Sequence, residues 1–241
     1  MTVLVCDITS SMCMIHRCSK CPGKGKLFSY LRQLLLCNEE DEDKMVTFSQ
    51  WETTDRPDLS VHTLSIHDFI EKLSNKLDRL TSHSFISKAQ SSHLKYLKQN
   101  IKPEECIILL DFAENYSFLA QDEVQSFFWN CKQCTIHPAV VYYKNSMGLL
   151  KSKSYAFVSN DLKHDTPFVF EVQKGLIADI TSFLPGVTKI YYFSDGCAGQ
   201  YKNYKNFMNL CSHDQDFSLN AEWIFLLHLM ANQLWMGWEG P

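Results

Sequence analysis

The sequence predicts an α/β protein: a mixed five-stranded sheet with helices packed on it, preceded by a smaller, helical, cysteine-bearing region. Three observations carry that expectation. Apolar runs of strand length recur from Cys106 onward, two of the intervals between them have helical periodicity, and Cys6, Cys13, Cys18 and Cys21 crowd the start of the chain.

Residues 27–37, LFSYLRQLLLC, read as a short helix, and the acidic run 38–43 as a solvated turn. Residues 45–55 read as a strand. In 65–101, Phe69, Ile70, Leu73, Leu77, Leu80, Leu94 and Leu97 recur at three- and four-residue spacings, as in one or two amphipathic helices. KPEE, 102–105, is the expected boundary, which gives an N-terminal region 1–103 and a core 104–228. The core opens with a continuous apolar strand from Cys106. A second strand, 134–144, contains Pro138, which suggests an edge or a bulge. A third covers 154–161. In 164–186, Asp165 or Thr166 caps a helix with Pro167 in its first turn; Val169, Val172, Leu176, Ile180 and Phe183 line one face and Pro185-Gly186 ends it. Strand 188–195, helix 202–214 and strand 220–227 complete the order β-β-β-α-β-α-β.

Short connections make the first three strands an antiparallel meander, and right-handed crossovers set the later two parallel to the first. This is the order of the ribonuclease H-like fold. On it, Asp111 follows the apolar run IILL and Asp195 closes the fourth strand. Those strands are neighbours, so the two aspartates would lie side by side near the carboxyl ends of parallel strands, where α/β sheets place ligands. Paired carboxylates suit Mg²⁺ or Mn²⁺, and two such ions about 4 Å apart can drive phosphodiester chemistry. A charge deep in a strand is costly unless paired or metal-bound, which favours a role for Asp111. An aspartate before glycine is also commonly a turn residue, so Asp195 has both readings.

Hydrophobic residues make up 45% of the chain, enough for a sizeable core, and the net charge of −4 excludes a generally basic nucleic-acid coat. No apolar run reaches bilayer length and the N-terminus lacks signal-peptide features, so an intracellular protein with reduced thiols is expected. Cys13, Cys18 and Cys21 have zinc-like spacing, with Cys6, His16 or Cys37 available as a fourth ligand; the alternative is a set of small apolar side chains in a hairpin. Cys131-x2-Cys134 lacks a partner pair, and His137 before Pro138 is structural. Cys211 and His213 are too few for a metal site. Phe112, Tyr116 and Phe118 alternate as core strand residues do. Lys202 and Lys205, after the glycine turn, are candidates for phosphate contact.

ILLDFAENYSF, QDEVQSFFWN, HPAVVYY, SNDLKHDT and YYFSDGCAGQYKNYKNFMNLC together resemble a family of uncharacterised repeat-copy proteins of invertebrate genomes, similar to DDE-type transposases. The resemblance implies metal-dependent DNA strand cleavage and transfer, with Asp111 and Asp195 as the first two catalytic acids. It also implies DNA as partner, self-association and a nuclear location. The third acid of the DDE pattern belongs on a helix after the fifth strand. There the family continues as F-A-T-S-H-G-K-S-A-C-D-G-I-G-G, whereas this chain reads LLHLMANQLWMGWEGP. Codons for those residues, read in a shifted frame, permit F-A-T-S-H-G-K-S-A-V-D-G-M-G-G-T. Residues 229–241 are therefore expected to be a frameshifted tail, and the copy truncated and inactive. A non-catalytic DNA- or protein-binding module is the alternative. A nuclease drawing its third carboxylate from Glu114 or Asp216 is another, although Glu114 falls on the strand face opposite Asp111.

Overall fold

A computed structural model describes residues 2–36, 44–53, 57–118 and 132–227. The chain divides into two compact units, Met1–Lys88 and Ala89–Pro241. The division falls within a long helix rather than at 102–105.

The first unit holds α1 (Ser11–Met14), α2 (Gly23–Leu35), the strands β1 (Met45–Thr53) and β2 (Pro57–Ser65), and most of α3 (Ile66–Asn100). Its core gathers Leu4, Val5, Cys13, Met14 and Leu27 against Leu77 and Phe85 of α3. Helix α2 starts earlier than expected, at Gly23, whose φ of +73° is a left-handed value that suits glycine. The Gly23 N–H donates to the Leu4 carbonyl at 3.1 Å. Strand β2 is absent from the sequence expectation. It pairs antiparallel with β1 from Met45–Ser65 to Thr53–Pro57, and its only alternating apolar positions, Leu59 and Val61, are too few to stand out. Ser65 ends the hairpin by capping α3, its hydroxyl accepting from the Asp68 N–H at 3.1 Å.

The second unit is a mixed sheet flanked by helices. Its elements are β3 (Glu105–Leu110), β4 (Tyr116–Ser117), β5 (Gln133–Lys144), β6 (Leu150–Ser159), α4 (Thr166–Phe183), β7 (Lys189–Asp195), α5 (Tyr204–Phe217) and β8 (Asn220–Leu226). Pairing runs β6-β5-β3-β7-β8, with β5 antiparallel to both β6 and β3, and β3, β7 and β8 mutually parallel. The two-residue β4 makes a sixth strand beside the five expected.

The central strands are apolar throughout because both faces are covered. Cys106, Ile108, Leu110, Ile190 and Tyr192 pack with Val169, Val172, Leu176 and Ile180 of α4. Ile107, Leu109 and Phe193 face the other way, onto Leu94 and Ile101 at the end of α3. Asp165 caps α4, accepting from the Phe168 N–H at 3.1 Å. Phe183 completes the helix's apolar face half-buried.

Strand β3 ends one residue before Asp111, so this charge is not deep in a strand. The cause lies in the partner strand. Extending the β3–β5 register from Leu110–Ala139 sets Asp111 opposite Pro138. The Asp111 N–H reaches the Pro138 carbonyl at 3.5 Å, but proline has no N–H to return the bond. Pro138 thus lies in an interior strand, not at an edge. Beyond it, Ala113 bonds Ile136 in the same register, whereas Tyr116 pairs with Cys134 and Ser117 with Gln133. One residue has been inserted between Ala113 and Tyr116, which is a β-bulge. The bulge also breaks the expected alternation. Phe112 packs on the core, but Tyr116 and Phe118 are exposed.

Candidate metal centre and carboxylate pair

In the first unit, the chain reverses after α1 through His16, a non-glycine residue at φ 59°. That reversal carries Cys18 and Cys21 back to Cys13 and Cys6. The Cys6 Sγ lies 3.4 Å from Cys13 Sγ and 3.7 Å from both Cys18 and Cys21 Sγ, and all four sulfurs fall within 4.8 Å of one another. Thiolates about 2.3 Å from a tetrahedral ion are about 3.8 Å apart, so the quartet has metal-ligand geometry. Cys6 supplies the fourth sulfur of the cluster. His16 is taken by Asp78, its Nε2 lying 3.2 Å from the backbone carbonyl and its Nδ1 3.8 Å from the carboxylate. Cys37 lies outside the described residues. The Lys20 N–H bonded to the Cys18 sulfur pulls that thiol down to about 7, favouring the thiolate, while the neighbouring Cys13, Cys21 and Cys18 push Cys6 up to about 12. Among the described residues this is the sole group of three or more metal-ligating side chains.

In the second unit, Asp111 and Asp195 come together at one end of the sheet. Asp195 follows Asp111 by 84 residues, the offset of every β3–β7 pair from Glu105–Lys189 to Leu109–Phe193. The two aspartates therefore occupy equal levels at the carboxyl ends of adjacent parallel strands. By alternation both fall on the face of Leu109 and Phe193. Asp195 is 6% exposed, and its Oδ1 accepts from the Cys197 N–H at 3.1 Å. It is a turn residue whose carboxylate is buried. Tyr201 links the pair to the core. Burial pushes its phenol well up, and the charges of Asp111 and then Asp195 push it further. The hydroxyl is 2.9 Å from Nε2 of the buried His137.

The turn between β7 and α5 is tightly held. The Cys197 carbonyl accepts from the Gln200, Tyr201 and Lys202 N–H groups at 3.3, 2.9 and 3.0 Å. The Asn203 side chain caps α5 by accepting from the Asn206 N–H at 3.0 Å, and its amide donates to Thr166 and to the Ala198 carbonyl. On the other side of Asp195, the Gln90 amide donates to the Phe225 carbonyl at 2.8 Å and its oxygen accepts from the Leu227 N–H at 3.0 Å.

Lys202 and Lys205 are exposed at this end of the sheet. Asp216 is not: it lies in the last turn of α5, which leads to the start of β8, at the opposite end from Asp195. It is excluded as a third carboxylate. Glu114 is exposed within the bulge. Cys211 and His213 do not face one another, since Cys211 is exposed and His213 is buried. His213 Nδ1 donates to the Leu219 carbonyl at 2.7 Å, which leaves Nε2 to accept from the Tyr192 hydroxyl at 3.0 Å. Cys134 is buried in β5, and its partner Cys131 and residues 229–241 lie outside the described residues. Tyr201 and Gln90 carried no sequence signal, because their roles come from contacts distant in the chain.

Residues 90–228 match the family described as a domain of unknown function, DUF8701. The chain belongs to this DUF8701 family. The matched segment contains β3 to β8 and the carboxylate pair. Residues 1–81, with the cysteine quartet, match a second domain of unknown function, DUF8700. No curated protein matches the DUF8701 chain. No helix among the described residues is long and apolar enough to cross a membrane.

Proposed function

We propose that the second unit is a ribonuclease H-like core of DDE-transposase descent whose Asp111–Asp195 pair holds Mg²⁺ or Mn²⁺ against nucleic acid, and that the cysteine quartet holds zinc. One observation carries the first part: the equal level of the two aspartates at the carboxyl ends of β3 and β7. The strand order β6-β5-β3-β7-β8 with antiparallel β5 supports the same fold. A divalent ion at such a pair would polarise a phosphodiester and acidify a bound water. The residues fit it, because a hard divalent cation takes carboxylate oxygens and the register brings two carboxylates to one level of adjacent strands. Asp195 is also pre-oriented by the Cys197 N–H, which donates to its Oδ1 at 3.1 Å.

Among the described residues no third carboxylate joins the pair. The function that follows is binding of DNA beside the ion-holding pair, with little strand cleavage. A nuclear location and self-association go with a transposase ancestry. In the first unit, four thiolates at tetrahedral spacing leave no position for substrate, so the zinc would be structural.

Calorimetric titration with Mn²⁺ tests the carboxylate pair. Binding is expected in the wild type and lost in Asp111→Asn and Asp195→Asn, and nicking of supercoiled DNA with Mg²⁺ should stay near background. Equal Mn²⁺ binding by all three proteins would overturn the assignment.

A further inference from the structure

Helix α5 has two faces of unlike character. Asn206 and His213 are buried against the sheet side. Across from them, Tyr204, Phe207, Met208 and Cys211 are all exposed, at the i, i+3, i+4, i+7 spacing of a single stripe. Tyr204 is 75% exposed, far beyond what a core residue shows. Residues 196–213 contain two lysines, Lys202 and Lys205, and no acidic residue. Lys202 runs along the turn. Its Cδ lies 3.9 Å from where a side chain on Gly196 would begin, and its ammonium is 5.7 Å from the Phe225 ring. Phe207 meets the same ring edge-on, with centroids 5.9 Å apart. Cation and aromatic groups therefore form one surface that starts next to Asp195.

We infer that this surface binds single-stranded nucleic acid, with bases stacked on Tyr204 and Phe207 and phosphates met by Lys202 and Lys205. The inference rests on the nucleic-acid part of the proposed function but not on its ion. Exposed rings flanked by cations are what a single strand needs, because every unpaired base has a π-face and every nucleotide a negative charge. The two rings sit three residues apart, about 4.5 Å along the helix axis, so they lie on one face as neighbours. A duplex hides its base faces and gains nothing from the rings. The two lysines, with no acidic residue from Gly196 to His213, favour a polyanion over a partner helix on this surface. The hydrogen-bonded turn from Asp195 to Asn203 holds the surface in place before binding, which reduces the ordering cost.

Fluorescence anisotropy of a labelled 20-nucleotide oligo(dT) with the full chain, at 50 and 200 mM NaCl, tests this. Wild type should bind, and a 20-base-pair duplex should compete at least about tenfold more weakly. Tyr204→Ala and Phe207→Ala should each weaken binding about tenfold with the salt slope unchanged. Lys202→Gln and Lys205→Gln should each reduce the slope of log affinity against log salt by about 0.7. Affinity should persist in EDTA, whereas the Mn²⁺ titration reads the carboxylate pair alone. No binding to oligo(dT), equal competition by duplex, loss of affinity in EDTA, or wild-type affinity in both ring variants would each overturn the inference. Sedimentation supplies the remaining outcome. A dimer that Tyr204→Ala converts to monomer with oligo(dT) binding intact would make the stripe an interface between copies and equally overturn it.

Discussion

The Tyr201 hydroxyl meets Nε2 of His137 at 2.9 Å in a part of the core where neither residue has any exposed surface. Tyr201 comes from the turn after β7 and His137 from β5, 64 residues earlier in the chain. The contact ties the strand that faces Asp111 to the turn that follows Asp195. Phe112 packs edge-on against His137 and stacks on His164, closing the cluster.

Burial holds His137 down at about 4 against an ordinary 6.5. The unfolded chain therefore takes up a proton that the folded one refuses. Stability should be complete above pH 6.5, fall as pH drops toward 4, and level off below. The span corresponds to on the order of 3 kcal/mol. His164 and His213, both also lowered by burial, act in the same direction. Urea unfolding across pH 4 to 7.5 should show this, and His137→Gln should remove about one proton's worth of the dependence. An unchanged slope in that variant would assign the acid sensitivity elsewhere.

Mn²⁺ should raise the thermal midpoint of the wild type, because an ion that binds only the folded state shifts the equilibrium by mass action. Asp195→Asn should abolish that rise. Without metal the variant should cost little, since Asn keeps an oxygen to accept from the Cys197 N–H and one of two neighbouring charges is gone. A midpoint that rises with Mn²⁺ in the variant too would place the ion somewhere else.

Purified protein should carry about one zinc per chain, bound by Cys6, Cys13, Cys18 and Cys21. Chelation should unfold the segment 2–36, whose small core of Leu4, Val5, Met14 and Leu27 surrounds the quartet. Cys18→Ser should release the metal. Hydrogen exchange of the α2 amides before and after chelation is the measurement, and identical protection would leave the four as ordinary thiols.

Gln90→Ala should cost about 1–3 kcal/mol, because it strips a partner from both the Phe225 carbonyl and the Leu227 N–H at the end of β8. Gln90→Glu should recover only the second bond. Denaturant midpoints of the two variants distinguish a clamp from a surface residue, for which both changes would stay within about 0.5 kcal/mol.

Local pattern in the sequence determined the buried strands and the capped helix α4. Continuous apolar runs are required where both faces of a sheet are covered, and Asp165, Pro167 and the spacing from Val169 to Phe183 specify a helix without outside help. The same order of elements put Asp111 and Asp195 on candidate neighbouring strands. Only tertiary structure decided the rest. Pro138, opposite Asp111, stops β3 one residue short of the charge, and a bulge then turns Tyr116 outward where alternation put it inside. Spacing left Cys6, His16 and Cys37 equivalent as fourth ligands, and the left-handed turn at His16, held by Asp78, brought Cys6 into one cluster with Cys13, Cys18 and Cys21. Local patterns record what each residue needs from its immediate neighbours. Which distant groups end up within bonding distance depends on register and on single backbone insertions, and one such insertion reverses the face of every side chain after it.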